Sequence, residues 1–239
     1  MAGALAEQGC GLILVDQDQA ALSDTAAPLG EAGLPIHIIP ADLEDEAQRI
    51  RMIERVVGDI GQLDILVNNA GFVGTNQLEG WAVPFEEQSL TTWRRAVEVN
   101  LTAPFHLAQA FTPLLRQSGR GTIVNVGSIY GILGPDLDLY AGTRMGNPGG
   151  YAASKGGLLQ LTRWLSTSLA PAVRVNSVSP GGLARGQADS FVERYVRRTP
   201  LGRMGTEEDF KGVILFLASD LSAWMTGQNI MVDGGWSAW

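Results

Sequence analysis

The chain opens MAGALAEQGCGLILVDQDQ (residues 1–19). Ala2–Gln8 has the small and apolar residues of a short helix, and Gly9 and Gly11 mark a turn. Gly11–Val15 (GLILV) is a continuous apolar run of the kind buried on both faces of a parallel sheet. It ends in the acid Asp16, and Gln19–Ala32 is helical in character. Helix, buried strand, acid and helix is one unit of an alternating α/β chain, and the rest of the sequence can be tested against it.

The alternation continues. Pro35–Ile39 (PIHII) is a strand, and Glu44–Val57 is a helix with Ile50, Ile53 and Val57 on its apolar side. Asp64–Val67, Thr122–Val126, Ala172–Val178 and Asn229–Val232 are further strands. Between them lie helices at about Leu90–Arg116, Tyr151–Ala170 and Glu207–Ser219, the first bent near Pro104 and Pro113. β-branched strands, each followed by a helix, predict a parallel sheet covered on both faces, a doubly wound three-layer α/β domain. No repeat, linker or charge block interrupts it, so residues 1–239 read as one domain.

Composition narrows the function. Of 239 residues, 45% are apolar and 18% charged, and the net charge of −8 disfavours nucleic acid or an anionic membrane as partner. The longest apolar run, Val213–Ala218 (VILFLA), is too short to cross a bilayer. Cys10 is the single cysteine, which excludes an internal disulfide or thiolate metal cluster and fits a reducing compartment. No signal peptide is evident. A cytoplasmic protein without a metal is expected.

In open α/β sheets ligands lie beyond the carboxyl ends of the strands. The residues found there are Asp16, then Ala41-Asp42-Leu43, Asn68-Asn69-Ala70-Gly71, Gly127-Ser128 and Ser179-Pro180-Gly181. Tyr151 and Lys155, in GGYAASKGG (149–157), are four apart at the start of a helix and share a face. An ammonium near a phenol favours the phenolate, which makes the pair a candidate general acid/base. Lys155 is one of only two lysines, the other being Lys211. Ser128 can hold a carbonyl or bond Tyr151. As a hydrolase nucleophile it lacks both the glycine two residues before it (Val126 stands there) and a base: His37 is within a strand and His106 on the long helix. Asp16 can accept ribose hydroxyls and repel a 2′-phosphate, and Gln17, Asp18 and Gln19 offer that phosphate no cation. NAD is therefore favoured over NADP.

In this order and spacing, Asp16, A41-D42-L43, N68-N69-A70-G71, Asn100 in VEVNLTAPF, Ser128, Y151-x-x-x-K155, P180-G181 and V232-D233-G234-G235 resemble the short-chain dehydrogenase/reductase family along nearly the whole chain. The resemblance implies a Rossmann-type fold and hydride exchange between NAD(H) and a carbon bearing an alcohol or ketone. Tyr151 would transfer the proton, Lys155 would lower its pKa and hold the nicotinamide ribose, and Ser128 would hold the substrate oxygen. Asn100 would position a water between Lys155 and solvent. Asp42 and Leu43 would border the adenine. Asn69, Ala70 and Gly71 would line the cofactor floor, and Pro180 and Gly181 the nicotinamide side. A homotetramer or homodimer, assembled through the long helices and last strand, is also implied.

Three departures from the family pattern carry their own expectations. A first strand and a T-G-x-x-x-G-x-G loop should precede MAGALAEQGC, so the sheet is expected to lack its first strand between those ending at Asp16 and Val67. The pyrophosphate then loses its helix N-terminus. If the chain as written is the complete product, NAD binding should be weak or absent, and a non-catalytic subunit or binding protein becomes the alternative function. The second departure is a long insert, residues 129–150, between Ser128 and Tyr151. It is similar to those of short-chain dehydrogenases of bacterial surface-sugar pathways and should lie over the substrate mouth. Asp136, Asp138, Tyr140 and Arg144 suit a polyhydroxylated or phosphorylated substrate, with Tyr140 and Arg144 as its contacts; a purely structural loop is the other reading. The third follows Pro180-Gly181, where Arg185 or Gln187 replaces a threonine that usually bonds the nicotinamide amide, and residues 183–205 should form a lid. Trp236 and Trp239 in the tail pack either on a partner or on their own subunit.

Overall fold

β-branched and leucine-rich segments pair side by side wherever both faces can be covered, and this fixes the frame of the computed structural model, which describes residues 1–30, 33–74 and 78–239. The strands are β1 (Leu12–Asp16), β2 (Ile36–Pro40), β3 (Ile65–Asn68), β4 (Gly121–Val126), β5 (Val173–Pro180) and β6 (Asn229–Val232). All pairings are parallel. β1 pairs with β2, with Leu12 opposite Ile36. β3, β4, β5 and β6 pair in that order, with Ile65 opposite Thr122 and Val178 opposite Ile230. The described strands thus form two sheets, and among the described residues no strand pairs with the second edge of β1 or of β3. The six expected strands are each present, shifted by two residues or fewer.

The helices are α1 (Ala2–Glu7), α2 (Gln19–Gly30), α3 (Glu46–Arg55), α4 (Leu90–Val97), α5 (Ala103–Gln117), α6 (Gly149–Leu169), α7 (Asp189–Arg198) and α8 (Lys211–Ala218). The two-residue period of a strand sends neighbours to opposite faces, and β4 shows both. Ile123 joins Leu107, Phe111 and Leu115 of α5, Leu165 of α6 and Met52 of α3 in one core. Val124 and Val126 join Leu5 of α1 with Ile214 and Leu217 of α8 in the other. Ile13 and Val15 of β1 pack on the first core and Leu12 and Leu14 on the second, so helices on both faces bridge the two sheets.

Local chemistry sets the helix ends. Asp45 caps α3 by accepting from Gln48 N at 3.1 Å, and Ser89 caps α4 from Thr92 N at 3.1 Å. The long helix expected over 90–116 is broken by a wide π-helical turn, Glu98–Thr102. Pro104 lies just beyond it and has no N–H to offer the Asn100 carbonyl four residues back. Pro113 lies within α5. The helix expected to reach Ala32 is described as far as Gly30, and Ala32 lies outside the described residues. No helix among the described residues is long and apolar enough to cross a membrane.

Candidate active site

The parallel strands carry Asp16, Asp42-Leu43, Asn69-Ala70-Gly71, Ser128 and Pro180-Gly181 at their carboxyl ends. Ser128 is buried and extended, and its hydroxyl caps a single helical turn at 129–131 by accepting from Tyr130 N at 3.2 Å. That turn lies hard against α6. A β-carbon at Gly131 would sit 3.0 Å from the Lys155 main chain, so any larger residue would push the turn carrying Ser128 a few tenths of an ångström away from the helix bearing Tyr151.

Tyr151 occupies the first turn of α6, its N–H on the Pro148 carbonyl. Burial raises its pKa, and the Ser128 hydroxyl works against that through a hydrogen bond. The net shift is upward, the reverse of what an adjacent ammonium predicts, because Lys155 Nζ lies 5.9 Å from the Tyr151 ring centre and is itself buried. Nζ donates to Val126 O at 2.7 Å, and burial lowers its pKa from 10.5 to about 8. At neutral pH the phenol keeps its proton, and Lys155 is still an ammonium.

Asn100 is fully buried within the wide turn. Its Oδ1 accepts from Phe72 N at 2.6 Å, and its Nδ2 donates to Phe72 O at 3.2 Å and to Ser154 Oγ at 3.0 Å. Ser154 in turn donates to Tyr151 O at 2.8 Å. The side chain clamps the segment after β3 to α6. Both N–H groups of the side chain are used, so the expected water would have to donate to an Asn100 carbonyl oxygen. Gly71 lies between the two groups: a β-carbon there would be 3.6 Å from both Asn100 Oδ1 and Lys155 Nζ. Asn69, Ala70 and Gly71 are exposed above this point.

At the other end Asp16 is exposed, and one of its oxygens accepts from Asp18 N at 3.0 Å. Asp42 Oδ1 accepts from Glu44 N at 2.9 Å. The Leu43 carbonyl is held by Arg49, a buried residue whose guanidinium also pairs with Glu98 at 2.6 Å. Arg49 escaped the sequence reading, and it ties the Asp42–Glu44 loop to the turn that carries Asn100.

The insert and the lid segment meet above Tyr151. The Tyr130 and Tyr140 hydroxyls are 2.8 Å apart. Tyr140 packs on Phe191 (5.5 Å between centroids), Phe191 on Tyr195 (5.9 Å), Tyr195 on Trp236 (5.7 Å) and Trp236 on Tyr130 (6.5 Å), which closes a circuit of five rings. Tyr195 OH also accepts from Gly182 N at 2.6 Å. Trp236 is therefore buried in its own chain, whereas Trp239 is exposed, its indole N–H on Arg198 O. Of the expected insert contacts, Tyr140 is half-buried and packed with Tyr130 and Phe191. Arg144 and Asp138 are exposed, and Asp136 is paired with Arg198 at 2.5 Å. Arg185 and Gln187 are committed elsewhere: Arg185 pairs with Glu207, and Gln187 bonds Leu183 O and Arg185 N. Tyr130, Tyr195 and the role of Trp236 in the circuit were missed. Their only signal in the sequence was an aromatic-rich insert and tail.

A dinucleotide's two ends find fitting residues. Lys155, Tyr151 and the exposed residues Asn69–Gly71 are those that could hold a nicotinamide ribose, and Asp16 and Leu43 those that could hold an adenosine. The middle is poorer: no Lys or Arg occurs in residues 17–30 or 69–89, after β1 and β3, to face a pyrophosphate. Among the described residues no group of acidic, histidine or cysteine side chains could hold a metal.

Fold and site together define a Rossmann-like α/β protein equipped for proton transfer at the oxygen of an alcohol or ketone. The family model described as enoyl-(acyl carrier protein) reductase matches residues 1–237. A 3-oxoacyl-[acyl-carrier-protein] reductase of Thermotoga maritima is 36% identical over 85% of this chain and 78% of its own. A cis-4-hydroxycyclohexanecarboxylate dehydrogenase of Sinomonas cyclohexanicum is 32% identical over 98% and 89%. The structure of a gluconate 5-dehydrogenase from Burkholderia cenocepacia, in complex with NADP and tartrate, superposes with a TM-score of 0.85 at 27% identity, covering 100% of this chain and 89% of that one. The chain belongs to the short-chain dehydrogenase/reductase family of oxidoreductases.

Proposed function

We propose that the protein is an NAD(H)-dependent oxidoreductase that interconverts a secondary alcohol and a ketone on a polar, sugar-like small molecule. The observation that carries this reading is the placement of Tyr151 on α6, on the same helix face as the Lys155 ammonium, whose Nζ lies 5.9 Å from its ring centre, with Ser128 brought against that helix by the turn at 129–131. In reduction the Tyr151 phenol gives its proton to the substrate oxygen, and in oxidation the phenolate takes it back. Ser128 holds that oxygen. Lys155 and the exposed main chain of Asn69–Gly71 hold the nicotinamide ribose, and Pro180 and Gly181 flank the ring. The Asn100 carbonyl, which can take no N–H from Pro104, receives the water that links Lys155 to solvent. The bound nicotinamide supplies or accepts the hydride.

NAD is preferred because Asp16 is exposed where a 2′-phosphate would lie and no cation stands beside it. The gluconate 5-dehydrogenase neighbour holds NADP, so the choice needs a direct measurement. Calorimetric titration of the chain with NADH and then NADPH makes it: tighter NADH supports the reading, and tighter NADPH overturns the specificity. Tyr151→Phe should lower turnover by about 10²–10⁴-fold while leaving NADH affinity in place.

The second reading is a cofactor-deficient family member. It is favoured by the unpaired edges of β1 and β3 and by the lack of basic residues near the pyrophosphate. A folded chain that binds neither nucleotide selects it.

Residues 1–239 are read as one domain, with 129–150 as the wall of the substrate site and 183–205 as its lid. A homotetramer or homodimer is proposed from exposed Trp93, Phe105 and Trp164 on α4, α5 and α6, beside a cavity of about 340 Å³ lined by Trp81, Phe85 and Trp93. Sedimentation as a monomer would refute it. A cytoplasmic site is proposed from the unpaired thiol of Cys10.

A further inference from the structure

The chain leaves the end of β5 on a support that the sheet does not supply. Gly181 N still bonds Val232 O of β6 at 3.0 Å. One residue on, Gly182 N donates instead to the hydroxyl of Tyr195, on α7, at 2.6 Å, and Gly182 O accepts from Gly205 N at 2.9 Å. Tyr195 is 2% exposed, and its ring stacks on Trp236 and on Phe191 of its own helix. It lies so close to the strand end that a β-carbon at Gly181 would sit 2.8 Å from its hydroxyl oxygen, and one at Gly182 2.9 Å from its Cζ. The second glycine of Pro180-Gly181-Gly182 is there because the tyrosine is. Elsewhere the segment is thinly backed: a cavity of about 140 Å³ opens against Gly181 and Gly182, with Leu201, Phe210 and Val232 among its other walls.

We propose that Tyr195 is a positioning residue for the nicotinamide half of the cofactor: its hydroxyl fixes Gly182, and through it the Pro180-Gly181 flank, while α7 is docked. This inference rests on the reading of Pro180 and Gly181 as that flank. A main-chain N–H taken from water needs an acceptor, so Gly182 stays where the hydroxyl is, and the hydroxyl is carried by α7. The stacking on Trp236 holds the ring in place, so undocking α7 withdraws the acceptor. The helix proposed as part of the lid and the nicotinamide flank therefore move together. Two glycines in succession leave the flank without side chains to wedge it, and the cavity gives it room to shift once the bond is lost. The adenosine end stands at the ends of β1 and β2, in the other sheet, so the effect is confined to one half of the dinucleotide.

The test reads the two halves separately, by binding at equilibrium. Calorimetry on the full chain compares NADH with ADP-ribose, which lacks the nicotinamide ring. Tyr195→Phe keeps the stacked ring and removes the hydroxyl. It should lower the ratio of NADH to ADP-ribose affinity by about three- to tenfold, the effect of about one hydrogen bond, and leave ADP-ribose affinity within about twofold. In the unliganded chain the same variant should speed hydrogen exchange at Gly182 N–H and leave the paired part of β5 unchanged. Gly182→Ala meets the ring from the strand side and should shift the affinity ratio in the same direction, so it carries the test if Tyr195→Phe fails to fold. The double variant should cost no more than the larger single one, because both break the same contact. The proposal is overturned if the parent shows no preference for NADH over ADP-ribose, or if both ligands weaken equally in the variants, as general loosening would give. It is also overturned if Gly182 N–H exchanges as slowly without the hydroxyl. Failure of both ligands to bind the folded parent overturns the NAD(H) reading and this inference with it. Binding of both with a ratio unchanged in the folded variants overturns the inference alone.

Discussion

Lys155 Nζ donates to the Val126 carbonyl at 2.7 Å from a position only 4% exposed. Its folded-state pKa of about 8 lies below the unfolded value of 10.5. Below pH 8 the folded protein bears the full cost of burying an ammonium. Between about pH 8 and 10.5 the unfolded chain keeps a proton that the folded chain has lost, so stability rises with pH across that window. Lys155→Met should stabilise the protein at pH 7 by about 1–2 kcal/mol: roughly 1.4 kcal/mol for each pH unit, less about 1–2 for the orphaned Val126 carbonyl. The gain should shrink towards pH 10.5 in urea unfolding. The raised tyrosine pKa values remove stability from both proteins above about pH 10, and comparing variant with parent cancels that effect. A gain independent of pH would show that the buried charge is elsewhere.

Asn125 is fully buried in the middle of the sheet and joins β3, β4 and α6. Its Oδ1 accepts from Asn68 Nδ2 at 2.8 Å, and its Nδ2 donates to Thr162 Oγ1 at 2.9 Å. Asn125→Leu should cost about 2–4 kcal/mol in denaturant unfolding, because it strands the Asn68 amide as well as losing two bonds. Adding Asn68→Leu should return part of that loss, since an apolar pair leaves nothing unsatisfied. A double variant less stable than Asn125→Leu would reject this account.

These two sites mark what the sequence could and could not reveal. The strands, the alternation and the place of Tyr151, Lys155 and Ser128 were legible because periodicity and four-residue spacing are local. The Asn68–Asn125–Thr162 chain was not, because its members are 57 and 37 residues apart and each reads alone as a polar residue in an apolar run. The sign of the Tyr151 shift was misread for a related reason: spacing places Lys155 on the same face but says nothing of the burial that outweighs it. Arg144 was expected at the substrate from its charge, yet it stands in solvent, and the buried contacts of the insert are its tyrosines.

Helix α7, in the segment proposed as the lid, is held to the insert by arginines. Arg198 pairs with Asp136 and stacks on Trp236 at 4.7 Å, and Arg194 donates to the Asp138 and Ala141 carbonyls at 2.7 and 2.8 Å. The Arg198 side chain is 41% exposed, so solvent screens the pair and it contributes about 0–1 kcal/mol. That suffices to bias a lid without deciding the fold. Arg198→Met should speed hydrogen exchange in residues 189–198 several-fold and leave β4 unchanged. Asp136→Asn, which keeps the stacking, should do less, and ~1 M salt should mimic it in the parent protein. Equal exchange in parent and Arg198→Met would remove the latch from the argument.

β4 is paired on both sides and all six of its residues are buried, whereas β1 and β3 are each paired on one side. Along a strand the N–H groups alternate in direction. In a strand with one neighbour, every second amide therefore points to the open edge and has no ladder partner. Exchange measured residue by residue should be slow through β4 and the paired part of β5, and should alternate between slow and fast along β1 and β3. The alternation is the diagnostic feature, since general loosening would raise all amides of a strand together. Slow exchange at every amide of β1 would mean that another segment covers its edge. It would also place further main-chain groups next to Asp16 and Asn69, where a pyrophosphate needs them, and would favour tight NADH binding. Alternating exchange together with measurable NADH affinity would show that the two ends of the site hold the dinucleotide without a cradle for its middle.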